Sequence, residues 1–221
     1  MKRNGKKGME TYFEMMKLLR SARKIEELDA HREELARLIP QICTMFDFNQ
    51  RHEAHPYDLW THTLYVVTGL PRDIDDDMLY LAALLHDLGK PSTQQLSPKP
   101  GGNARHPGHP AAGAVIVRDE VLPDLEQKGN SLSEEDARRL LYYVEHHDDT
   151  VDLDVKYLRQ QREFGANSFE TFQNLMHLEV SDAFAHAQIP HVIRRIEVCG
   201  ALAGTEGERL WREMEQEVCG G

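Results

Sequence analysis

DDDMLYLAALLHDLGK, residues 75–90, is the stretch on which the reading of this chain turns. Three acidic residues open it, where the positive end of a helix dipole favours negative charge. The residues after them are almost wholly apolar, which predicts a central helix buried on all sides. His86 and Asp87 then stand side by side where the apolar run ends. Burying an adjacent charged pair is expensive unless something compensates it, and a divalent cation compensates it well. An isolated His-Asp pair is more often a surface cap at a helix end. The apolar run before this one, with Gly89 and Lys90 after it, weakens that plainer reading.

The same helical pattern extends in both directions. YDLWTHTLYVVTGL, residues 57–70, predicts a buried helix that carries His62 and is closed by Gly69 and Pro71. Residues 91–108, dense in Pro, Gly, Ser and Asn, form the clearest loop, and a flexible one. His109-Pro110 then starts a helix, with Pro110 suited to the first helical position. Ser133 and Asp136 resemble a helix-start box before ARRLLYYVEHH. SFETFQNLMHLEVSDAFAHA, residues 168–187, predicts a further helix bearing Asp182, and residues 190–217 another helical stretch broken near Gly200 to Gly207. Toward the N-terminus, Phe13, Met16, Leu19, Leu28, Leu35 and Leu38 recur at helical spacing until Pro40 ends the region. No run of alternating strands, internal repeat or linker between equal halves is visible. The expected class is all-α. Residues 1–50 are read as an N-terminal segment packing on a core domain of residues 51–221.

Composition limits the function. A chain of 221 residues with 40% apolar content is sized for one well-filled domain. No stretch approaches the roughly 20 apolar residues of a membrane helix. The basic start MKRNGKKG is followed by an amphipathic, charged segment rather than an apolar signal core, so a cytoplasmic protein is expected. Cys43, Cys199 and Cys219 are odd in number and far apart, and are read as free thiols. A net charge of −11 argues against a basic coat for nucleic acid. It leaves room for a small anionic substrate, since a metal and a few local bases can reverse the sign inside a cleft.

The 12 histidines are the unusual feature. One buried histidine is more often a hydrogen-bonded core residue than a ligand. Here His62, His86-Asp87, His109 and Asp182 fall on successive helical segments in apolar settings, which is harder to explain piecemeal. Imidazoles and carboxylates together suit Mn, Fe, Zn, Ni or Co, and Mg less well.

The order His62, His86-Asp87, Asp182 and the text LLHDLGKP resemble the defining pattern of the HD superfamily of metal-dependent phosphohydrolases. YDLWTHTL with HDLGKP after it is most similar to the HD domain of bacterial tRNA nucleotidyltransferases. The resemblance spans about residues 55–187 and implies an HD-type helical bundle with peripheral N- and C-terminal helices. It implies that His62, His86, Asp87 and Asp182 bind a first divalent metal. Members with two metals add a histidine after a loop and another at the end of the next helix. His109 (with His106 nearby) and His147 or His146 stand at those places, and His147 fits the family-like spacing from Val144 better. Asp87 would bridge, and Lys90 would help hold a substrate phosphate. A surface lysine at a helix end is nearly as good a reading of Lys90, and a solvated face is the better reading of Arg194 and Arg195.

The implied activity is hydrolysis of a phosphomonoester or phosphodiester, in a nucleotide or related small phosphorylated substrate, by metal-activated water. Two rivals stay open: a di-iron oxygenase of the same fold, and a non-catalytic nucleotide-binding module. HHDDTVDLD lacks the GYP segment of cyclic-di-GMP phosphodiesterases, and HDLGK lacks the two acids expected after HD in guanosine-tetraphosphate hydrolases. No Gly-Ser and paired-Asp nucleotidyltransferase motif precedes residue 55, so tRNA-end synthesis is not expected. Nor is there a Walker loop or a dinucleotide glycine fingerprint.

Overall fold

The computed structural model describes residues 11–219, with side chains to residue 217. The basic stretch before residue 9 and the Cys219 thiol lie outside the described residues and side chains. Helices run α1 (Tyr12–Ser21), α2 (Ile25–Asp29), α3 (Arg32–Leu38), α4 (Leu59–Gly69), α5 (Asp77–Leu85), α6 (Lys90–Thr93) and α7 (His109–Ile116). They continue with α8 (Leu122–Gln127), α9 (Glu134–His146), α10 (Val155–Phe164), α11 (Phe169–Phe184), α12 (Pro190–Leu202) and α13 (Thr205–Cys219). Among the described residues there is no strand, only one isolated bridge between Gln95 and Arg105. No helix among them is long and apolar enough to cross a membrane. Cys43 and Cys199 are free.

Several boundaries are set by short polar side chains that accept orphan backbone N–H groups. Asp58 caps α4 through Thr61 N at 2.9 Å, Ser133 caps α9 through Asp136 N at 3.0 Å, and Ser168 caps α11 through Thr171 N at 3.1 Å. Asp76 caps α5 through Met78 N at 3.0 Å and is itself buried. Its other oxygen accepts from Tyr143 Oη at 2.7 Å and Asn174 Nδ2 at 3.1 Å. One carboxylate therefore ties the start of α5 to α9 and α11.

Helix α5 lies at the centre, packed against α1, α4, α9 and α11, and every residue from Met78 to Leu85 is buried. One apolar core runs from Met15 in α1 to Met214 in α13, so the terminal helices share it. Two close approaches fix the crossings around α5. A Cβ on Gly69 would lie 2.3 Å from Ser181 Oγ, so α4 meets α11 at a glycine beside Asp182. A Cβ on Gly89 would lie 2.1 Å from the His109 carbonyl oxygen, so the turn after α5 meets the start of α7 at another.

Several expected boundaries are corrected. The N-terminal helical region is three short helices, and Pro40 opens a 3-10 turn, Pro40–Met45, where its fixed φ is tolerated. The central helix stops at Leu85, and His86 to Gly89 form a turn, because Gly89 must pass against α7. The loop after it starts with the single turn α6. It is then pinned, with Gln95 and Arg105 exchanging backbone bonds of 2.8 and 2.9 Å and Ala104 N donating to Arg51 O at 2.8 Å. The C-terminal break is confined to Ala203 and Gly204.

Candidate metal centre

His62 comes from the middle of α4, His86 and Asp87 from the turn after α5, and Asp182 from the last turn of α11. All four are buried. His62 Nε2 lies 2.9 Å from Asp182 Oδ1 and 3.4 Å from Asp87 Oδ2. His86 Nε2 lies 3.1 Å from Asp87 Oδ2 and 3.6 Å from Asp182 Oδ1. On the other side of the same carboxylate, Asp87 Oδ1 lies 3.2 Å from His109 Nε2 and 3.6 Å from His147 Nε2. The two oxygens of Asp87 thus face two separate groups, each able to hold an ion.

The protons show what these groups suit. His86 Nδ1 donates to Ala83 O at 3.0 Å, His109 Nδ1 to His106 O at 3.0 Å and His147 Nδ1 to Val144 O at 2.8 Å. That arrangement turns Nε2 of each ring inward, the nitrogen left to bind a cation, as metal-bound histidines are held. His109 Nε2 and His147 Nε2 then oppose each other at 3.2 Å. A divalent cation between these two nitrogens and the adjacent carboxylate oxygen would bind all three. The first group has the same character. His62 Nε2, His86 Nε2, Asp87 Oδ1 and Asp182 Oδ1 are buried without a conventional hydrogen-bond partner, and Asp87 Oδ2 has an ion pair with Lys90 Nζ. Such convergence is costly in an empty polar site and is relieved by a divalent ion, so the residues present fit one or two.

Burial raises both carboxyl groups, but nearby positive charge wins. His86 and Lys90 hold Asp87, and His186 and His62 hold Asp182, well below the usual carboxylate range. Burial likewise lowers His86, yet Asp87 and Asp182 outweigh it and push the imidazole up to about 10. Burial keeps His147 below its ordinary value.

Lys90 is on α6 rather than on a continuing α5, yet its Nζ reaches Asp87 Oδ2 at 2.7 Å and Gln50 Oε1 at 3.0 Å. His106 lines the cleft and gives its carbonyl to His109 but joins neither ion-binding group. His146 points elsewhere, with Nδ1 2.9 Å from Asp149 Oδ2 and its ring stacked on Phe164 at 4.3 Å.

Arg195 corrects the solvated-face reading, whereas Arg194 is exposed. The Arg195 guanidinium bonds buried Glu179 through Nε at 2.7 Å and also through Nη2, and Nη2 donates to the His147 carbonyl at 3.1 Å. Burial pushes the Glu179 carboxyl up against the pull of Arg195, while Glu179 holds Arg195 charged against burial. A guanidinium stays protonated in proteins, so Arg195 brings a fixed positive charge to Glu179. A charged residue on an apolar helix, Glu179, was the signal in the sequence that α11 turns a second carboxylate inward. Its partner sixteen residues on carried no local signal.

These groups open into a cavity of about 520 Å³, within the range of small-ligand sites. Lys90, Arg105 and Arg195 line it with Asp87, Asp148, Asp182 and a ring of histidines that includes His55 and His186. Three cations and three carboxylates therefore share the cleft of this acidic protein.

Fold and site define an all-helical protein with a buried His/Asp centre suited to divalent cations. The sequence matches the HD domain family over residues 53–163, half of the chain. The chain belongs to that family, whose members are mostly metal-dependent hydrolases. Asp182 lies beyond the matched stretch, and geometry alone brings it to His62 and His86. No solved structure matches the chain.

Proposed function

We propose that the protein is a phosphohydrolase acting on a nucleotide or related small phosphoester, with His62, His86, Asp87 and Asp182 holding one divalent ion and Asp87, His109 and His147 a second. The observation that carries this reading is the division of Asp87, with Oδ2 toward His62 and His86 and Oδ1 toward His109 and His147. Ions held there supply Lewis acidity, lowering the pKa of a water and neutralising charge on phosphoryl oxygens. The protein's own part is orientation. Backbone carbonyls fix three of the four imidazoles in the ligating tautomer. Lys90, held by Gln50, sets a positive charge at the floor of the cleft where a phosphate oxygen would sit. Arg195 braces the His147 backbone from behind.

The test is a screen of nucleotides, cyclic nucleotides and simple phosphoesters with Mn, Co, Ni, Fe, Zn and Mg in turn. Phosphate or nucleoside release that is lost in His86→Ala and Asp87→Ala, with the fold retained by circular dichroism, supports the proposal. Oxygen consumption by the reduced, iron-loaded protein without phosphoester cleavage would assign it to the oxygenases. Nucleotide binding without turnover under every metal would make it a binding module.

A further inference from the structure

One charged pair is buried beside the metal centre without belonging to either ion-binding group. Glu179 stands on α11, the helix of Asp182, with none of its surface open to solvent. Arg195 reaches it from α12, its Nε 2.7 Å from Glu179 Oε2 and its Nη2 on the same oxygen. Nη2 also donates to the His147 carbonyl at 3.1 Å and lies 3.5 Å from Asp148 Oδ1.

Stability is a poor account of this pair. Desolvating two charges offsets most of their attraction, and apolar residues of like volume hold two helices together as well or better. Glu179 Oε1 is in addition buried without a hydrogen-bond partner, which costs more. What the pair does achieve is a fixed arginine. The Nε and Nη2 edge of the planar guanidinium is taken up by Glu179 and the His147 carbonyl, whereas Nη1 bonds no described residue. Arg195 keeps 26% of its side chain exposed and lines the cleft, as does Lys90. The two cations stand on opposite sides of Asp87. Lys90 meets Oδ2 at 2.7 Å, and Arg195 holds the backbone of His147, whose ring faces Oδ1.

We propose that Arg195 is a substrate-binding residue, giving its remaining donors to a phosphate oxygen opposite Lys90, and that Glu179 is the positioning residue that holds the guanidinium in place. Asp148 is half-exposed and beyond hydrogen-bond distance, so its side chain can turn to solvent as a phosphate arrives. Two cations flanking one phosphate suit a monoester, which carries close to two negative charges at neutral pH, better than a singly charged diester. The inference rests on the proposed hydrolase reading only for this choice of ester. The anion contact needs no turnover.

Inorganic phosphate is the probe, titrated by calorimetry into the Mn-loaded full chain, with metal counted on the same samples. Arg195→Met should weaken phosphate binding roughly tenfold or more, the effect of losing a charged hydrogen bond. Glu179→Gln should weaken it less, and both should keep the wild-type metal count. Arg195→Lys replaces Arg195→Met if the latter melts early, since one ammonium cannot serve Glu179, the His147 carbonyl and a phosphate together. Arg194→Met removes the same charge from an exposed neighbour and should bind phosphate like wild type. Equal losses at Arg194 and Arg195 would reduce the effect to long-range charge and overturn the contact. Metal lost together with phosphate in Arg195→Met would leave only support of His147 and also overturn it, as would unchanged affinity. With p-nitrophenyl phosphate and its bis-ester as substrates, Arg195→Met should raise KM for the monoester more than for the diester; equal rises overturn the preference for a dianion. Phosphate binding that depends on Arg195 while no phosphoester is cleaved upholds the contact and removes the hydrolase reading. Cleavage unchanged in Arg195→Met does the reverse.

Discussion

Gly89→Ala tests how the fold builds the second ion-binding group. The added Cβ would lie 2.1 Å from His109 O and 2.6 Å from Gly113 N, where ordinary contact starts at 3.4 Å. Both obstacles are backbone of α7, so no side chain can rotate away. Relief needs the turn and the start of α7 to part by roughly 1 Å, and overpacking of this kind costs about 1–3 kcal/mol. His109 starts α7, and its Nε2 is 3.2 Å from both Asp87 Oδ1 and His147 Nε2. Metal–ligand distances tolerate only about 0.2 Å, so a recoil of roughly 1 Å should remove the second ion. The first group takes its side chains from α4, the turn after α5 and α11 and none from α7, so it should keep its own ion as α7 recoils. Turnover should fall on the order of a hundredfold, as such misplacement does. Thermal melts, metal counting and phosphate release read the three effects. Gly200→Ala is the control, since it lies within α12 with nothing within 4 Å of the new Cβ and should stabilise by about 0.5–1 kcal/mol. A Gly89→Ala protein that melts like wild type and keeps both ions would refute the idea that this close approach positions His109.

His147→Ala should lose about one metal equivalent and most turnover, whereas His146→Ala should leave the metal count unchanged because its ring lies on Phe164; equal behaviour in metal counting would remove His147 from the centre. Asp76→Ala should destabilise by roughly 2–4 kcal/mol, from a lost cap and from stranding Tyr143 and Asn174, without changing metal stoichiometry well below the melting temperature; a urea titration that moves by less than half of this would show the network to be dispensable. In the metal-free protein His86 is raised from 6.5 to about 10, so its charged form adds stability that is complete below pH 6.5 and lost as pH rises through about 10. The chelated protein should therefore lose melting temperature between pH 7 and 10 relative to the metal-loaded protein, in which that proton is already displaced; parallel profiles would contradict the coupling.

Much of this protein was legible along the chain because helix burial is a local, periodic property. The apolar run of 78–85, the capping position Ser133 and the break at Pro71 depend only on residues within a turn or two of each other. The candidate centre drew notice for a related reason: His86-Asp87 at the end of an apolar run is anomalous wherever its partners stand. Helix ends were less so. The central helix stops at Leu85 because Gly89 must pass the backbone of α7, a neighbour twenty residues away. The choice between His146 and His147 needed the rotation of α9, since adjacent helical residues point about 100° apart. Arg195 looked like a surface residue until α12 packed on α11 and brought it to Glu179. His55 and His186 carried no shared signal, being joined by one backbone bond between Ala187 and Ala54. Sequence by itself determined the all-helical class, most of the helices and the residue types available to bind a cation. Tertiary structure decided which nitrogens and oxygens face one another, because that depends on where helices cross, and the crossings are set by contacts such as Gly69 with Ser181 and Gly89 with His109 between segments far apart in the chain.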